Sequence, residues 1–270
     1  MIKYCLASYM IFSIEKTARE YVNKRFPRAS VREREKIIAD WVSKVEDSKA
    51  LTKDFEDRVG KVAGKKILDA GSGPGGVSIA FALAGAEVSG VDIEKELYEI
   101  SKAHAEAYGA KAKFFLYDGT RLPFPDNEFD YVVSVSVLEH TDDPKLYLSE
   151  LLRVTKPGGK CYLAFPNKLW PKETHTGIWF LTYLPVFLRQ FAVSFLGRNP
   201  LEENNLNFYT YFDLKRMLKN IDSDGFSWHL VSEDGKTKKG IKKVTKDVLG
   251  FFGLSYKAFL SHILVILEKK

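Results

Sequence analysis

The sequence predicts an α/β protein with a doubly wound, mostly parallel seven-stranded sheet that is preceded by helices. Two observations carry this prediction. From about residue 65 onward, short apolar runs alternate with amphipathic stretches of helical period, which is the pattern of a parallel sheet covered by helices on both faces. The apolar run 66–70 then passes directly into a glycine-rich turn and a helix start, a junction typical of sites for nucleotide-like ligands.

Each element has a predicted span. The first 60 residues are charged and of helical period, so we expect two or three helices that form a cap before a core domain at 61–270. The predicted strands are 66–70, 87–92, 112–117, 131–135, 159–165, 225–232 and 262–268. The predicted core helices are 75–83, 95–108, 144–154, 211–221 and 242–252. Residues 156–159 are interpreted as a turn into the fifth strand, and the aromatic-rich stretch 167–210 as an insertion or lid after it.

Composition sets the broad class of protein. With 45% hydrophobic and 28% charged residues, the chain can bury a core without disulfides. Cys5 and Cys161 give neither a disulfide framework nor a metal-binding spacing, so we expect a reducing, cytoplasmic setting and no metal. Residues 1–14 are moderately apolar but lack a clear cleavage site, which favours a helix over a signal peptide. The basic cluster at 236–246 has no interleaved aromatics, so a solvated face is favoured over a phosphate-binding patch.

The glycine-rich turn after the first strand fits two patterns at once. Gly71, Gly73 and Gly76 fit the dinucleotide fingerprint G-x-G-x-x-G. Asp69, Gly71, Gly73 and Gly75 fit D-x-G-x-G-x-G, the first motif of the methyltransferases that use S-adenosylmethionine. Glycines allow the backbone to approach a ligand closely, but the turn alone leaves both ligands open.

Two acids bear on this choice. Asp92 ends the second strand about twenty residues after the glycines, where a carboxylate accepts hydrogen bonds from ribose hydroxyls; both ligands carry a ribose. Asp69 suits the ammonium group of S-adenosylmethionine better than a negatively charged pyrophosphate. The alternatives are that Asp69 caps the glycine turn and that Asp92 is a strand-end turn residue; their occurrence together favours ligand binding.

Three later segments resemble one family. Residues 118–130, DGTRLPFPDNEFD, resemble the D-A-x-x-L-P-F-x-D-x-x-F-D signature of class I methyltransferases, in the branch that includes the ubiquinone and menaquinone C-methyltransferases. Residues 137–140 resemble the V-x-x-H segment of that family beside the methionine moiety, and residues 151–159 resemble its L-x-R-V-L-K-P-G-G turn. Gly119 replaces the usual Ala, and Thr155 replaces a Leu. With the glycine turn, four motifs follow the order of the family over about residues 60–166.

The resemblance implies a Rossmann-like methyltransferase fold, with S-adenosylmethionine as methyl donor and S-adenosylhomocysteine as product. It implies that Asp118 contacts the adenine amino group and that the N–H of Gly119 contacts the ring; an ordinary turn is the alternative. The cofactor-binding set that we predict is Asp69, Gly71, Ser72, Gly73, Gly75, Asp92, Ile93, Asp118, Gly119 and Ser136.

Methyl transfer from a sulfonium requires alignment, exclusion of water and sometimes removal of a proton, so no catalytic triad is needed. The candidate catalytic residues are His140, Glu173 and His175. The alternatives are that His140 caps the helix that follows it, and that Glu173 and His175 order the insertion. Specificity for the acceptor is expected outside the shared core.

The apolar run 178–196 is nearly long enough to span a bilayer, but Pro185 and Arg189 interrupt it near its centre. Buried packing, a lid over a lipid-like acceptor and an interfacial helix at a membrane remain open. We therefore expect a methyltransferase that acts on a small-molecule or lipid-like acceptor, with peripheral membrane contact through 178–196 as an option. The alternatives are an RNA or protein methyltransferase and a non-catalytic S-adenosylmethionine-binding protein. Since no RNA-binding module is evident, we do not expect nucleic acid as a partner.

Overall fold

The structure is a computed structural model that describes residues 2–27, 29–173, 176–195, 207–221, 225–231 and 256–270. Three helices precede the first strand in this part of the chain: α1 (Ile2–Arg25), α2 (Val31–Val42) and α3 (Lys44–Arg58). Helix α2 begins at a capping box, in which the Ser30 hydroxyl accepts from the Glu33 N–H and the Glu33 carboxylate accepts from the Ser30 N–H. The expected helices before the core are confirmed.

The described residues form one seven-stranded sheet in the order β3-β2-β1-β4-β5-β7-β6. Strand β1 pairs in parallel with β2 and with β4, β2 pairs in parallel with β3, and β6 pairs antiparallel with β7. The strands are β1 (Lys66–Ala70), β2 (Glu87–Asp92), β3 (Ala112–Leu116), β4 (Phe129–Val135), β5 (Thr155–Pro166), β6 (Phe226–Leu230) and β7 (His262–Lys269). The helices that follow α3 are α4 (Gly76–Leu83), α5 (Lys95–Tyr108), α6 (Pro144–Val154), α7 (Val186–Phe195) and α8 (Tyr211–Lys219). The predicted α/β fold is confirmed.

Strand β5 corrects one sequence prediction. Residues 156–159 were expected to form a turn, but β5 starts directly after α6, at Thr155. A Cβ on Gly159 would lie 2.8 Å from the carbonyl oxygen of Asp130, and Gly158 has φ +75°. Glycines thus allow a close approach to β4 and a left-handed residue inside the strand. The predicted helix 242–252 and the basic cluster 236–246 lie outside the described residues.

The chain forms two compact units, Met1–Val133 with Glu150–Lys160, and Ser134–Ser149 with Cys161–Lys270. In the first unit, α3 packs on α4 through the fully buried rings of Phe55 and Phe81, whose centroids are 5.0 Å apart. The second unit buries the middle of β7 and the thiol of Cys161, where burial raises the pKa to about 12. The division into a cap at 1–60 and a core at 61–270 stays a prediction. No helix in the described ranges is both long and apolar enough to cross a membrane.

Candidate functional site

The glycine-rich turn follows β1 at the point where the strand order reverses. Strand β1 lies between β2 and β4, and the chain builds outward to β3 before it crosses to β4. In open α/β sheets, ligands bind at this position, beyond the carboxyl ends of the strands. The turn is therefore placed where a nucleotide-like ligand is expected.

Gly73 and Gly75 have different functions in this turn. Both have positive φ, +51° and +84° respectively. A Cβ on Gly75 would lie 2.9 Å from the Ser101 Cβ of α5, whereas a Cβ on Gly73 would meet no protein atom within 4 Å. Gly75 thus allows close packing on α5, and Gly73 faces open space that a ligand can use.

The N–H groups of the turn are bonded within the protein. The carbonyl oxygen of Val91 accepts from two of them, at 2.9 and 2.8 Å, and the carboxylate of Asp92 accepts from the Gly73 N–H at 2.8 Å. The turn residues whose N–H groups donate inside the protein are Gly71, Ser72, Gly73 and Gly75. A pyrophosphate binds N–H groups of this kind, and these four already have acceptors within the protein.

Asp69 lies at the end of β1 with only 4% of its surface exposed. Its carboxylate accepts a 2.6 Å hydrogen bond from the Ser78 hydroxyl of α4. Burial raises the pKa of Asp69 to about 6, with a further contribution from the charge of Asp92, although the bonds from Ser78 act in the opposite direction. Asp69 therefore connects β1 to α4, and a nearby cation would stabilise its buried negative charge.

Asp92 is also buried, at the end of β2. Its two carboxylate oxygens accept from the N–H groups of Gly73 and Glu94, at 2.8 and 2.9 Å. Burial raises the pKa of Asp92, and these backbone bonds oppose the rise. Since each carboxylate oxygen can accept more than one hydrogen bond, Asp92 joins the turn to β2 and can still receive ribose hydroxyls.

The segment after β3 contains both polar and apolar candidates. The Asp118 carboxylate accepts from the N–H and the hydroxyl of Thr120, at 2.9 and 2.7 Å, so the ordinary turn considered for this residue does form. A Cβ on Gly119 would lie 3.4 Å from the side chain of Ile93, which is 58% exposed although it is apolar. Ile93 and Gly119 thus present an exposed apolar contact suited to a flat ring.

Arg153 of α6 anchors the loop that follows Asp118. Its guanidinium donates to both carboxylate oxygens of Glu150 and to the carbonyl oxygens of Leu122 and Phe124. The Glu150 carboxylate in turn accepts from the Leu122 N–H at 2.9 Å. Burial acts to raise the pKa of Glu150, but the bonds from Arg153 and Leu122 outweigh it and lower the pKa. The motif at 151–159 was interpreted only as leading into a turn, so the sequence analysis missed the bonds from Arg153 to this loop.

His104 supports the glycine turn from α5. Its side chain is fully buried, and its Nδ1 lies 2.6 Å from the carbonyl oxygen of Pro74. Because a carbonyl oxygen only accepts, Nδ1 carries the proton. No sequence signal marked His104 or Ser78, since each lies within a helix of ordinary pattern and its partner lies in another element.

In the second unit, Ser136 and His140 follow β4. Ser136 has φ +57°, and its N–H donates to the Ala164 carbonyl oxygen at 2.8 Å. His140 ends a 3₁₀ turn, Leu138–His140, with its side chain exposed. The alternative that His140 caps the next helix is wrong, because the Asp143 carboxylate accepts from the first N–H groups of α6.

Glu173 is 2% exposed and organises a turn. Its carboxylate accepts from the N–H of Thr176 and, at 2.6 Å, from its hydroxyl. These bonds match the alternative in which Glu173 orders the insertion, and a role in catalysis stays a prediction. His175 lies outside the described residues.

Comparisons of the sequence with known proteins all point to methyltransferases. Residues 68–163 match the family model described as a methyltransferase domain. The demethylmenaquinone methyltransferase of Renibacterium salmoninarum is 39% identical over 108 residues, which are 40% of this chain and 44% of that protein. The ubiquinone biosynthesis O-methyltransferase of Coxiella burnetii is 31% identical over 173 residues, which are 57% of this chain and 73% of that protein. The chain thus spans less than half the length of the first of these relatives.

The fold itself has solved counterparts. A crystal structure of an S-adenosylmethionine-dependent methyltransferase from Aquifex aeolicus matches with a TM-score of 0.53 and 17% identity, over 84% of this chain and 91% of that chain. At this identity the match concerns the fold. It agrees with the α/β fold described above.

Proposed function

The chain belongs to the class I methyltransferases that depend on S-adenosylmethionine, and we propose that it transfers a methyl group to an apolar, lipid-like small molecule. The observation that supports the cofactor is the turn after β1, where four N–H groups are bonded internally and two buried carboxylates, Asp69 and Asp92, adjoin. Asp92 suits the ribose of either ligand, whereas Asp69 suits an ammonium group better than a pyrophosphate.

The residues of the first unit fit the parts of the cofactor. Asp69 holds the ammonium group, Asp92 accepts from the ribose hydroxyls, and the adenine ring lies against Ile93 and Gly119 with Asp118 at its amino edge. The open space at Gly73 leaves room for the methionine part. When bound, S-adenosylmethionine supplies a methyl group already activated by a sulfonium, so the protein mainly has to align the acceptor and exclude water. A role for Ser136 in cofactor binding stays a prediction.

The second unit is the proposed source of acceptor specificity. Its segment 176–195 is dominated by apolar and aromatic residues, which suits an acceptor with an apolar ring or tail. Two relatives have names that place them in menaquinone and ubiquinone chemistry, and we take a quinone-like ring as the acceptor class. His140, exposed after β4, is the proposed base where the acceptor must lose a proton.

Two assays test this proposal. Isothermal titration calorimetry should show that the protein binds S-adenosylmethionine and does not bind NAD. Asp92→Ala should lose the binding of S-adenosylmethionine, and the control Asp40→Asn, at an exposed position, should bind it like the wild type. In a second assay, the protein is incubated with methyl-labelled S-adenosylmethionine and a cell extract, and the mixture is then extracted with an organic solvent. The label should enter the organic phase, which holds the lipid-like products. Tight NAD binding would contradict the cofactor assignment, and label confined to RNA or protein would contradict the acceptor class.

A further inference from the structure

Helix α7 turns its phenylalanines outward. Phe187, Phe191 and Phe195 are spaced by four residues, so they share one helical face. Their exposed fractions are 77%, 68% and 79%, and the rings of Phe191 and Phe195 stack with centroids 6.0 Å apart. A surface helix ordinarily buries such a stripe against the core, whereas among the described residues this face of α7 is left exposed.

The charged residue of α7 does not belong to that face. Arg189 is the one charged residue between Val186 and Phe195. Its guanidinium donates to the carbonyl oxygens of Thr182 and Leu184, at 3.2 and 2.9 Å, and lies 4.9 Å from the ring centre of Phe208. Arg189 is thus used to hold the preceding turn, and the outward face of α7 retains its phenylalanines.

Three aromatic residues before α7 are exposed as well. Trp179, Phe180 and Tyr183 are exposed by 61%, 60% and 52%, with ring centroids 6.1 Å and 6.2 Å apart along the series. Trp179 also forms an isolated β-bridge with the exposed Lys172. Residues 176–195 contain no Asp or Glu. Tryptophan and tyrosine are enriched where proteins meet the headgroup region of a bilayer, and lysine favours anionic headgroups.

We propose that this aromatic face docks on the surface of an anionic lipid bilayer, with the phenylalanines of α7 inserted at the boundary of the acyl chains. The aromatic face consists of Trp179, Phe180, Tyr183, Phe187, Phe191 and Phe195. A bilayer is the chosen occupant because residues 176–195 contain no acid that would repel anionic headgroups, and because the exposed Trp179 and Tyr183 are of the types enriched at headgroup level. With 10 residues, α7 is too short to span a bilayer and suits an interfacial position. The proposal does not depend on the proposed reaction.

Vesicle flotation tests the proposal with the full chain. Vesicles of equal parts phosphatidylcholine and phosphatidylglycerol should carry the wild-type protein upward, and vesicles of phosphatidylcholine alone should carry less of it. The triple variant Phe187→Ser, Phe191→Ser, Phe195→Ser should bind the vesicles at least about tenfold more weakly. Each substitution removes the favourable free energy of transferring a phenyl ring from water into the bilayer. The matched control is Val31→Ser with Leu83→Ser, two exposed apolar residues of the other unit, which should bind like the wild type.

A second measurement reports the contact directly. Phosphatidylglycerol vesicles with brominated acyl chains should quench the fluorescence of Trp179, so the wild type should lose more emission than Trp179→Phe. The substituted phenylalanines are exposed, and circular dichroism and thermal unfolding should show that the triple variant keeps its fold. Equal flotation of the wild type and the triple variant would overturn the proposal. So would a wild type that binds neither kind of vesicle. A dimer that the triple variant abolishes, without vesicle binding, would assign the face to a second copy of the chain.

Discussion

The buried imidazole of His104 donates a 2.6 Å hydrogen bond from Nδ1 to the carbonyl oxygen of Pro74, the residue at the middle of the glycine turn. Among the described residues, its Nε2 has no hydrogen-bond partner, and burial lowers the pKa of His104. The imidazole is therefore neutral at pH 7, with its single proton directed at the turn. We therefore assign His104 the role of positioning the glycine turn.

His104→Ala should weaken S-adenosylmethionine binding about tenfold, since the Pro74 carbonyl would lose its donor and the turn would loosen. His104→Asn should restore much of the affinity, because its side-chain amide can place a donor near the position of Nδ1. Isothermal titration calorimetry measures both. A purely structural role would lower the melting temperature of both variants and leave the affinity of the folded protein unchanged.

Gly73→Ala and Gly75→Ala should separate binding from folding. The Cβ at position 73 enters space free of protein atoms, so Gly73→Ala should lose only the roughly 1–2 kcal/mol that a left-handed alanine costs. The variant should therefore fold but bind the cofactor at least tenfold more weakly. The Cβ at position 75 collides with Ser101, and a left-handed alanine adds strain, so we expect a loss of about 3 kcal/mol of unfolding free energy. Denaturant unfolding and calorimetry give the two quantities. A stable Gly75→Ala variant would contradict the assigned packing role.

The pKa of Asp69, raised to about 6, predicts a pH dependence of cofactor affinity. Above pH 7 the carboxylate is ionised and attracts the ammonium group. As the pH falls below about 6, Asp69 takes up a proton, and the affinity should fall by up to tenfold per pH unit. The affinity of Asp69→Asn should be low and independent of pH in this range. Calorimetry between pH 5 and pH 8 gives the measurement.

The same group predicts the opposite trend for stability. Because the folded pKa lies above the ordinary value of 3.8, the native state binds more protons than the unfolded state between these values. The unfolding free energy contributed by Asp69 therefore declines as the pH rises through about 6. Asp69→Asn should be more stable than the wild type at pH 7, by about 1–3 kcal/mol, while it binds the cofactor less well. A less stable Asp69→Asn at pH 7 would contradict the role of burial.

Arg153→Lys should destabilise the loop after Asp118. A lysine retains the charge but cannot bond Glu150 in two places and reach two carbonyl oxygens as well. We expect a loss of about 2 kcal/mol of unfolding free energy, together with weaker cofactor binding as the adenine contact moves. Arg121→Lys, at an exposed position of the same loop, is the matched control and should behave like the wild type.

Glu173→Gln keeps a side-chain oxygen that can accept from Thr176, and Thr176→Val removes only the hydroxyl donor, so both variants should lower activity by similar, modest factors. Methyl transfer followed against pH distinguishes this outcome from catalysis. If Glu173 were a general base, Glu173→Gln alone would lose most of the activity and the acidic limb of the pH profile.

Much of the fold was predictable because local pattern carries it. The predicted spans 66–70, 87–92, 95–108 and 144–154 agree with β1, β2, α5 and α6 to the residue. In these segments, the apolar period and the flanking glycines, prolines and acids indicate the same element. The start of β5 was missed because glycines in a strand interior look locally like a turn.

The sequence by itself also determined the family, through a glycine turn and three later motifs that use adjacent residues. Tertiary structure alone decided that Ser78 bonds Asp69, that His104 holds Pro74 and that Arg153 anchors the loop after Asp118, because in each pair the partners lie in different elements. It also decided that the apolar stripe of α7 faces outward. The periodicity of a helix shows that one face is apolar, but which neighbour covers that face depends on how the elements pack.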